Sequence, residues 1–204
     1  MSIFRTLMEK PWMPEGPGYE LHDGGEFFLP RAMLGLRVFL AVVGVLFTLL
    51  VVSYADRMSL ADWHPLPEPW LLWPNTVLLI LSSIAFQWAC TAANRGQIDG
   101  VRSGLFAAGV LSFAFLAGQL LAWQQLTASG YFAAANPANA FFYLLTALHG
   151  LHLSGGLVAW ARTSAKVRRG FEAAEVRLSV ELCAIYWHFL LMIWLVVFGL
   201  LLFT

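Results

Sequence analysis

Five stretches of this 204-residue chain are apolar, nearly free of charge and close to or above twenty residues long: about 32–54, 72–92, 103–127, 139–161 and 180–203. About 20 residues of helix, rising 1.5 Å each, cross a hydrocarbon layer about 30 Å thick. A chain inside lipid finds no water for its peptide groups, so it crosses either as helices or as a closed barrel. Barrel strands alternate polar and apolar positions, whereas these runs are apolar on nearly every face. The expected fold is therefore all-α: a polytopic membrane bundle of five transmembrane helices, with short connections that make sequence neighbours antiparallel. Charge supports this, since only 12% of residues are Asp, Glu, Lys or Arg, against roughly a quarter in soluble domains. Such a composition excludes a disordered chain, a nucleic-acid binder and a cytosolic enzyme.

Two regions are expected, an N-terminal cytoplasmic or interfacial segment (1–31) and a five-helix domain (32–204). The first is polar and broken by Pro11, Pro14, Gly16, Pro17 and Gly18. Ahead of those breakers, Ile3, Phe4, Leu7 and Met8 share one face of a possible short interfacial helix. No cleavable signal peptide is expected, because the first apolar run begins after residue 31 and is long enough to span. Basic residues set the orientation. Arg5, Lys10 and Arg31 precede the first span, Arg95 and Arg102 lie between the second and third, and Arg162, Lys166, Arg168, Arg169 and Arg177 lie between the fourth and fifth. The other side has only Arg57, among Asp56, Asp62 and Glu68, and an uncharged 128–138 loop. The N-terminus is expected in the cytoplasm and the C-terminus outside.

Trp63, Trp70, Trp73, Trp123 and Trp160 fall near span ends, the depth at which indoles suit the headgroup region. Close helix contacts are expected along Gly104, Ala108 and Ser112, and along Gly155 and Ala159, because small residues four apart let backbones approach. Cys90 and Cys183 sit inside spans and read as small buried hydrophobes, not as a disulfide or zinc site. No internal repeat of the kind common in transporters is visible, which leaves a solute transporter a distant alternative.

Ionisable groups within the membrane are costly and so are candidate functional residues. They are Arg37, His149, His152, Glu181 and His188. Arg37 lies close enough to the span end to snorkel, and Glu181 begins the last span, where the helix dipole favours an acid. His149 and His152, three apart, share a face, and His188 at similar depth could meet them. Imidazole is the commonest metal ligand, so a membrane b-type cytochrome ligated by His149 or His152 with His188 is one possibility. One helical turn is too short for His149 and His152 to serve separate haems, and zinc would want second-shell carboxylates where only Glu181 is near. The favoured reading is an interhelical polar cluster of His149, His152, Glu181 and His188. No nucleophile–base pair, phosphate loop or redox thiol pair is present, so no catalytic residue is expected in this chain.

The motifs His149-Gly150-Leu151-His152 and Tyr186-Trp187-His188-Phe189 are distinctive. The stretch from Phe141-Phe142 through those histidines to Gly155-Gly156 resembles the penultimate helix of subunit III of the haem–copper oxidases (cytochrome c oxidase). Glu181, seven residues before His188, together with Trp194 resembles its last helix. Weaker matches are Leu34-Gly35, Phe39-Leu40-Ala41, Gln87, Arg95-Gly96, Gly118-Gln119 and Trp123, so that the resemblance covers about residues 33–204.

The resemblance implies a non-catalytic accessory subunit of a bacterial terminal oxidase, in the five-helix form of the family, within the inner membrane. It implies docking on subunit I, and on subunit II, with haem and copper carried by the partner and no redox cofactor here. It also implies bound phospholipid, with Lys166 where the family often has an arginine that meets lipid phosphate; a point charge lacks that bidentate geometry. Three acids usual in the family are replaced by apolar residues, at Val43, Ala122 and Leu191. That departure marks a divergent member, puts proton buffering in doubt, and leaves an accessory subunit of a nitric oxide reductase as the alternative.

Overall fold

The computed structural model describes residues 31–61, 63–64 and 70–202. The short helix expected around Ile3, Phe4, Leu7 and Met8, and the charges of Arg5, Lys10, Asp62 and Glu68, lie outside the described residues. Five helices occur: α1 (Arg31–Arg57), α2 (Leu72–Asn94), α3 (Ile98–Ala128), α4 (Pro137–Arg168) and α5 (Ala173–Leu202). All five are long and apolar enough to cross a membrane, and no strand occurs among the described residues.

The last three helices run five to seven residues beyond the apolar runs at their basic ends. Hydropathy falls where Asp99, Arg102, Arg162, Lys166, Arg168, Glu175 and Arg177 appear, but the backbone ladder does not depend on side-chain polarity. Headgroups and water solvate the charges while the helix continues. At 32 residues α4 is about 48 Å long and must protrude from the hydrocarbon layer. Turn chemistry stops α2 and α3 sharply at their C-terminal ends. Gly96 and Gly130 take positive φ of 72° and 87°, which lets Gln97 N–H reach Ala92 O at 2.9 Å and Tyr131 N–H reach Leu126 O at 3.0 Å. These are Schellman closures, which satisfy carbonyls the helix end leaves unpaired. At the start of α4, Asn136 accepts from Ala138 N–H at 3.1 Å, with Pro137 at the first helical position.

Helices α2, α3, α4 and α5 form a closed ring, each packed on the next and α5 back on α2, while α1 lies outside it against α4 and α5. Consequently α1 is the least buried helix, and one side of it, including Leu34, Val38, Val42, Val45 and Leu49, faces outward.

Small residues set the closeness of the ring. A Cβ added at Gly104 would lie 2.8 Å from Ala89 Cβ and 2.9 Å from Ala89 N, and one at Gly100 would lie 2.8 Å from Ala92 Cβ. The expected Gly104–Ala108–Ser112 face is therefore the α2–α3 seam, where Ser82 Oγ bonds Ala108 O (3.1 Å) and Ser112 Oγ (2.8 Å). The pairing expected of Gly155 and Ala159 is different. A Cβ on Gly155 meets nothing within 4 Å, and both residues are exposed. The close approach falls instead on Gly156, whose added Cβ would lie 2.9 Å from the Trp187 ring. Residues 155 and 156 differ by one 100° step around the helix, enough to turn one inward and the other out.

Four of the links between helices are made by indole N–H groups. Trp187 donates to Ser112 Oγ (3.0 Å), Trp194 to Thr76 Oγ1 (3.0 Å), Trp123 to Thr146 Oγ1 (3.0 Å) and Trp160 to Leu105 O (2.8 Å). Each accepting hydroxyl donates its own proton to the carbonyl four residues back: Ser112 to Ala108, Thr76 to Leu72 and Thr146 to Phe142. Its lone pairs are thereby left to accept the indole, and every polar atom in the pair is satisfied. Trp123 and Trp160 thus turn inward to another helix, beyond the headgroup role expected of them, while Trp70 and Trp73 remain largely exposed. Both cysteines are free; Cys183 is buried against Thr163 and Cys90 is half-buried.

Two substitutions test this packing. Thr76→Val keeps the shape but strands the buried Trp194 N–H, and should cost about 1–3 kcal/mol in detergent unfolding, with Thr76→Ser close to neutral. Gly104→Ala should cost about 1–3 kcal/mol by forcing α2 from α3, while Gly199→Ala, with nothing within 4 Å, should leave stability within about half a kcal/mol.

Candidate functional site

Side chains of α5 seven residues apart share a face, so Glu181 and His188 point together, while the Tyr186 hydroxyl reaches α4 and the Trp187 indole reaches α3. The four residues expected to cluster are therefore divided between two seams. His149 and His152 lie on α4, and Glu181 and His188 on the side of α5 that faces α2; the hydrogen bonds of the histidines do not link them to one another or to Glu181.

His149 is completely buried. Its ring lies 5.1 Å from that of Trp194 and 5.7 Å, edge on, from Phe115, and neither ring nitrogen has a partner among the described residues. His152 is half-buried against α1, 5.6 Å from the Phe47 ring and 6.4 Å from Phe39. Its Nδ1 lies 2.7 Å from Leu148 O, and because a carbonyl only accepts, Nδ1 carries the proton. The backbone carbonyl of His152 accepts in turn from Tyr186 Oη at 2.8 Å, which ties the α4 motif to the α5 motif.

His188 sits at the midpoint of α5 and is exposed. Its Nε2 meets Gln87 Oε1 at 3.2 Å and its Nδ1 meets Ser83 Oγ at 2.9 Å. The amide oxygen only accepts, so Nε2 donates to it and Nδ1 accepts from the serine hydroxyl. The Gln87 amide nitrogen is left with no hydrogen bond to a described residue. Around these groups is an outward groove of about 380 Å³, lined also by Ile84, Trp88, Thr91 and Leu191. Sequence reading missed Ser83 as a partner of His188, because only packing brings together residues 105 positions apart. Further along the same seam, Glu181 is half-buried and, with Arg177, is an electrostatic neighbour of Cys90.

A larger cavity, of about 530 Å³, opens where α1, α4 and α5 meet at the basic end. Leu36, Phe39, Gly155, Ala159 and Leu182 line its apolar part, and Arg162 and Lys166 stand at the charged end. Lys166 Nζ donates to Ser179 Oγ at 3.4 Å, leaving two ammonium protons to offer. Gly155 and Ala159 thus leave a space unfilled instead of closing a helix contact. Arg37 on α1 is exposed nearby in the chain, two residues before Phe39.

Val43 and Ala122 are buried in the core, and Leu191 is partly buried beside His188. No group of three or more His, Cys, Asp or Glu side chains is placed to hold a metal ion among the described residues. A cytochrome with axial ligands from His149 or His152 and from His188 does not fit the geometry, since His188 faces α2 and both its nitrogens are engaged.

The described residues define a multi-pass helical membrane protein with a polar groove at mid-depth and an apolar cavity under basic residues. The family model for cytochrome c oxidase subunit III matches residues 33–203. A probable cytochrome c oxidase subunit 3 of Mycobacterium tuberculosis is 33% identical, covering 67% of this chain and 69% of that protein. Cytochrome c oxidase subunit 3 of Thermostichus vulcanus is 31% identical, covering 83% of this chain and 85% of the relative. The corresponding subunit of Synechocystis is 29% identical over 81% of this chain and 72% of that protein. The chain belongs to the cytochrome c oxidase subunit III family, a divergent member of it, and the reductase and cytochrome alternatives are not favoured.

Expressed without partners, the chain should therefore show no Soret absorbance in a reduced-minus-oxidised spectrum. In the assembled complex, His188→Ala should leave haem content per catalytic subunit unchanged. Early loss of haem on that substitution would overturn this account of His188.

Proposed function

We propose that this chain is the accessory subunit of a bacterial haem–copper terminal oxidase, in the inner membrane, stabilising subunit I and contacting subunit II. Haem and copper belong to the partner. The observation that carries the reading is the His188–Gln87–Ser83 groove. A histidine and a primary amide at the middle of a spanning helix, facing outward, are unfavourable against hydrocarbon. They become favourable when another polypeptide covers them and supplies an acceptor for the free Gln87 amide. The catalytic subunit is the cover we infer.

The second role is lipid retention. Lys166 meets a phospholipid phosphate at the cavity between α1, α4 and α5, Arg162 adds a second cation, and an acyl chain follows Leu36, Phe39 and Leu182. His149, His152 and Glu181 act as polar contacts between helices, in separate places, and take no part in redox chemistry. The N-terminus is cytoplasmic and the C-terminus external; the support is that antiparallel connections bring Arg95, Arg102, Arg162, Lys166, Arg168, Arg169 and Arg177 to one end.

Replacing His188 and Gln87 together by leucine should leave the chain inserted and folded, yet lower co-purification of the haem-bearing subunit in mild detergent at least about threefold, a modest loss for hydrogen bonds worth about 1 kcal/mol in lipid. Activity of the residual complex should decay faster during turnover. Equal co-purification of the variant and the parent chain would remove this groove as the docking face.

A further inference from the structure

On the opposite side of α4 from Lys166 lies a separate cavity of about 500 Å³, between α3 and α4. Its cations are Arg102, one turn into α3, and Arg168, the last residue of α4. Neither makes a hydrogen bond or ion pair with a described residue. Ser164 lies between them and the floor, and its hydroxyl is sealed from solvent with no partner. This is unlike Thr163 beside it, whose hydroxyl donates to Ala159 O at 3.0 Å. The floor is apolar, made of Leu105, Phe106 and the Trp160 ring. That ring is held by its bond to Leu105 O, and it lies over Gly109, where an added Cβ would fall 2.6 Å from Trp160 Cε2. The floor therefore depends on a glycine opposite an indole, and is not an accident of loose packing.

We propose that this cavity is a second phospholipid site, specific for an anionic headgroup. The chemistry selects that occupant on two grounds. Two guanidinium groups and an unpaired hydroxyl at one helix end match phosphodiester oxygens, which arginine bonds in bidentate fashion. The groove below them is lined by Leu105, Phe106 and the Trp160 ring, an apolar surface that a free anion would not use and an acyl chain would. The site is independent of the one at Lys166. Residues two apart on a helix point to nearly opposite sides, so Arg162 and Lys166 serve one face of α4 while Ser164 and Arg168 serve the other. It also goes beyond the role proposed above, since it does not require the partner to cover it.

The test uses the intact complex, purified in mild detergent and then washed to remove loosely held lipid. Retained phospholipid is counted by native mass spectrometry for the parent and for Arg102→Gln/Arg168→Gln, Arg162→Gln/Lys166→Gln and Ser164→Ala. The first double variant should retain one anionic phospholipid fewer than the parent while still co-purifying with the haem-bearing subunit. The second should lose a different one, and the combined losses should add. In exchange with nanodiscs, the parent should prefer phosphatidylglycerol to phosphatidylcholine at this site by roughly tenfold, as expected for two arginines near the membrane surface. The Arg102/Arg168 variant should approach parity. Ser164→Ala, which removes one oxygen and no charge, should weaken retention about threefold by loss of one hydrogen bond, and serves if the double variant fails to assemble. Retention equal to that of the parent in these variants would overturn the proposal. So would displacement of the bound species by millimolar inorganic phosphate, which would make the site one for a free anion. Failure of the complex to co-purify even in the parent would count against the docking reading instead, and lipid counted on the chain alone would still decide this one.

Discussion

Packed helices in lipid gain little from exclusion of apolar surface, because the tails they leave are as apolar as the side chains they meet; what remains is close contact and directed hydrogen bonds. The ring of α2, α3, α4 and α5 depends on both. Gly104 and Gly100 let α2 and α3 touch backbone to backbone, and Gly156 admits the Trp187 ring between α4 and α5. Indoles then join the ring, three of them at hydroxyls already oriented by their own helix and Trp160 at the Leu105 carbonyl. Trp187 ties α5 to α3, Trp194 ties α5 to α2, and Trp123 and Trp160 tie α3 to α4. In each case the donor is a large flat side chain that fills volume and leaves no polar atom unpaired.

Outside that ring the surface divides by depth. At mid-depth, the His188–Gln87–Ser83 groove opens outward on the α2–α5 seam, where polar groups call for a protein cover. At the basic end, α4 offers a cavity on each side: one under Arg162 and Lys166 and bounded by α1, the other under Arg102 and Arg168 and bounded by α3. The helix that lies outside the ring, α1, therefore does more than cross the membrane. Phe39 helps to enclose one cavity, and with Phe47 it brackets His152. Buried apolar residues at Val43 and Ala122 keep the interior free of acids that would each need a partner.

The family motifs in α4 and α5 were legible as residue patterns, but their surroundings were not. His149, His152 and His188 look alike in a linear reading, at similar depth on adjacent helices. A rotation of the helix decides that His149 is sealed between Phe115 and Trp194, that His152 turns to α1, and that His188 turns away to α2. Ser83 could not be found from sequence, since a serine in an apolar run carries no sign of the imidazole it will meet. The reversal of Gly155 and Gly156 has the same origin: spacing tells which residues are small, and azimuth tells which of them is used. Helix ends were misjudged at the basic side because hydropathy reports the edge of the hydrocarbon, not the end of the backbone ladder.

By itself the sequence determined the number of spanning helices among the described residues, the antiparallel order imposed by short connections, the basic end, and the resemblance carried by His149 to His152 and Tyr186 to Phe189. These follow from the bilayer, which demands long apolar helices, and from charge, which is counted without coordinates. Only the tertiary structure decided which seams the polar groups occupy, that α1 stands outside a closed ring, and that small residues make a contact at Gly104 but a cavity at Gly155. The physical reason is that a spanning helix is apolar around its whole circumference. Its sequence therefore shows no preferred face, and the face is chosen by what the neighbouring helices present.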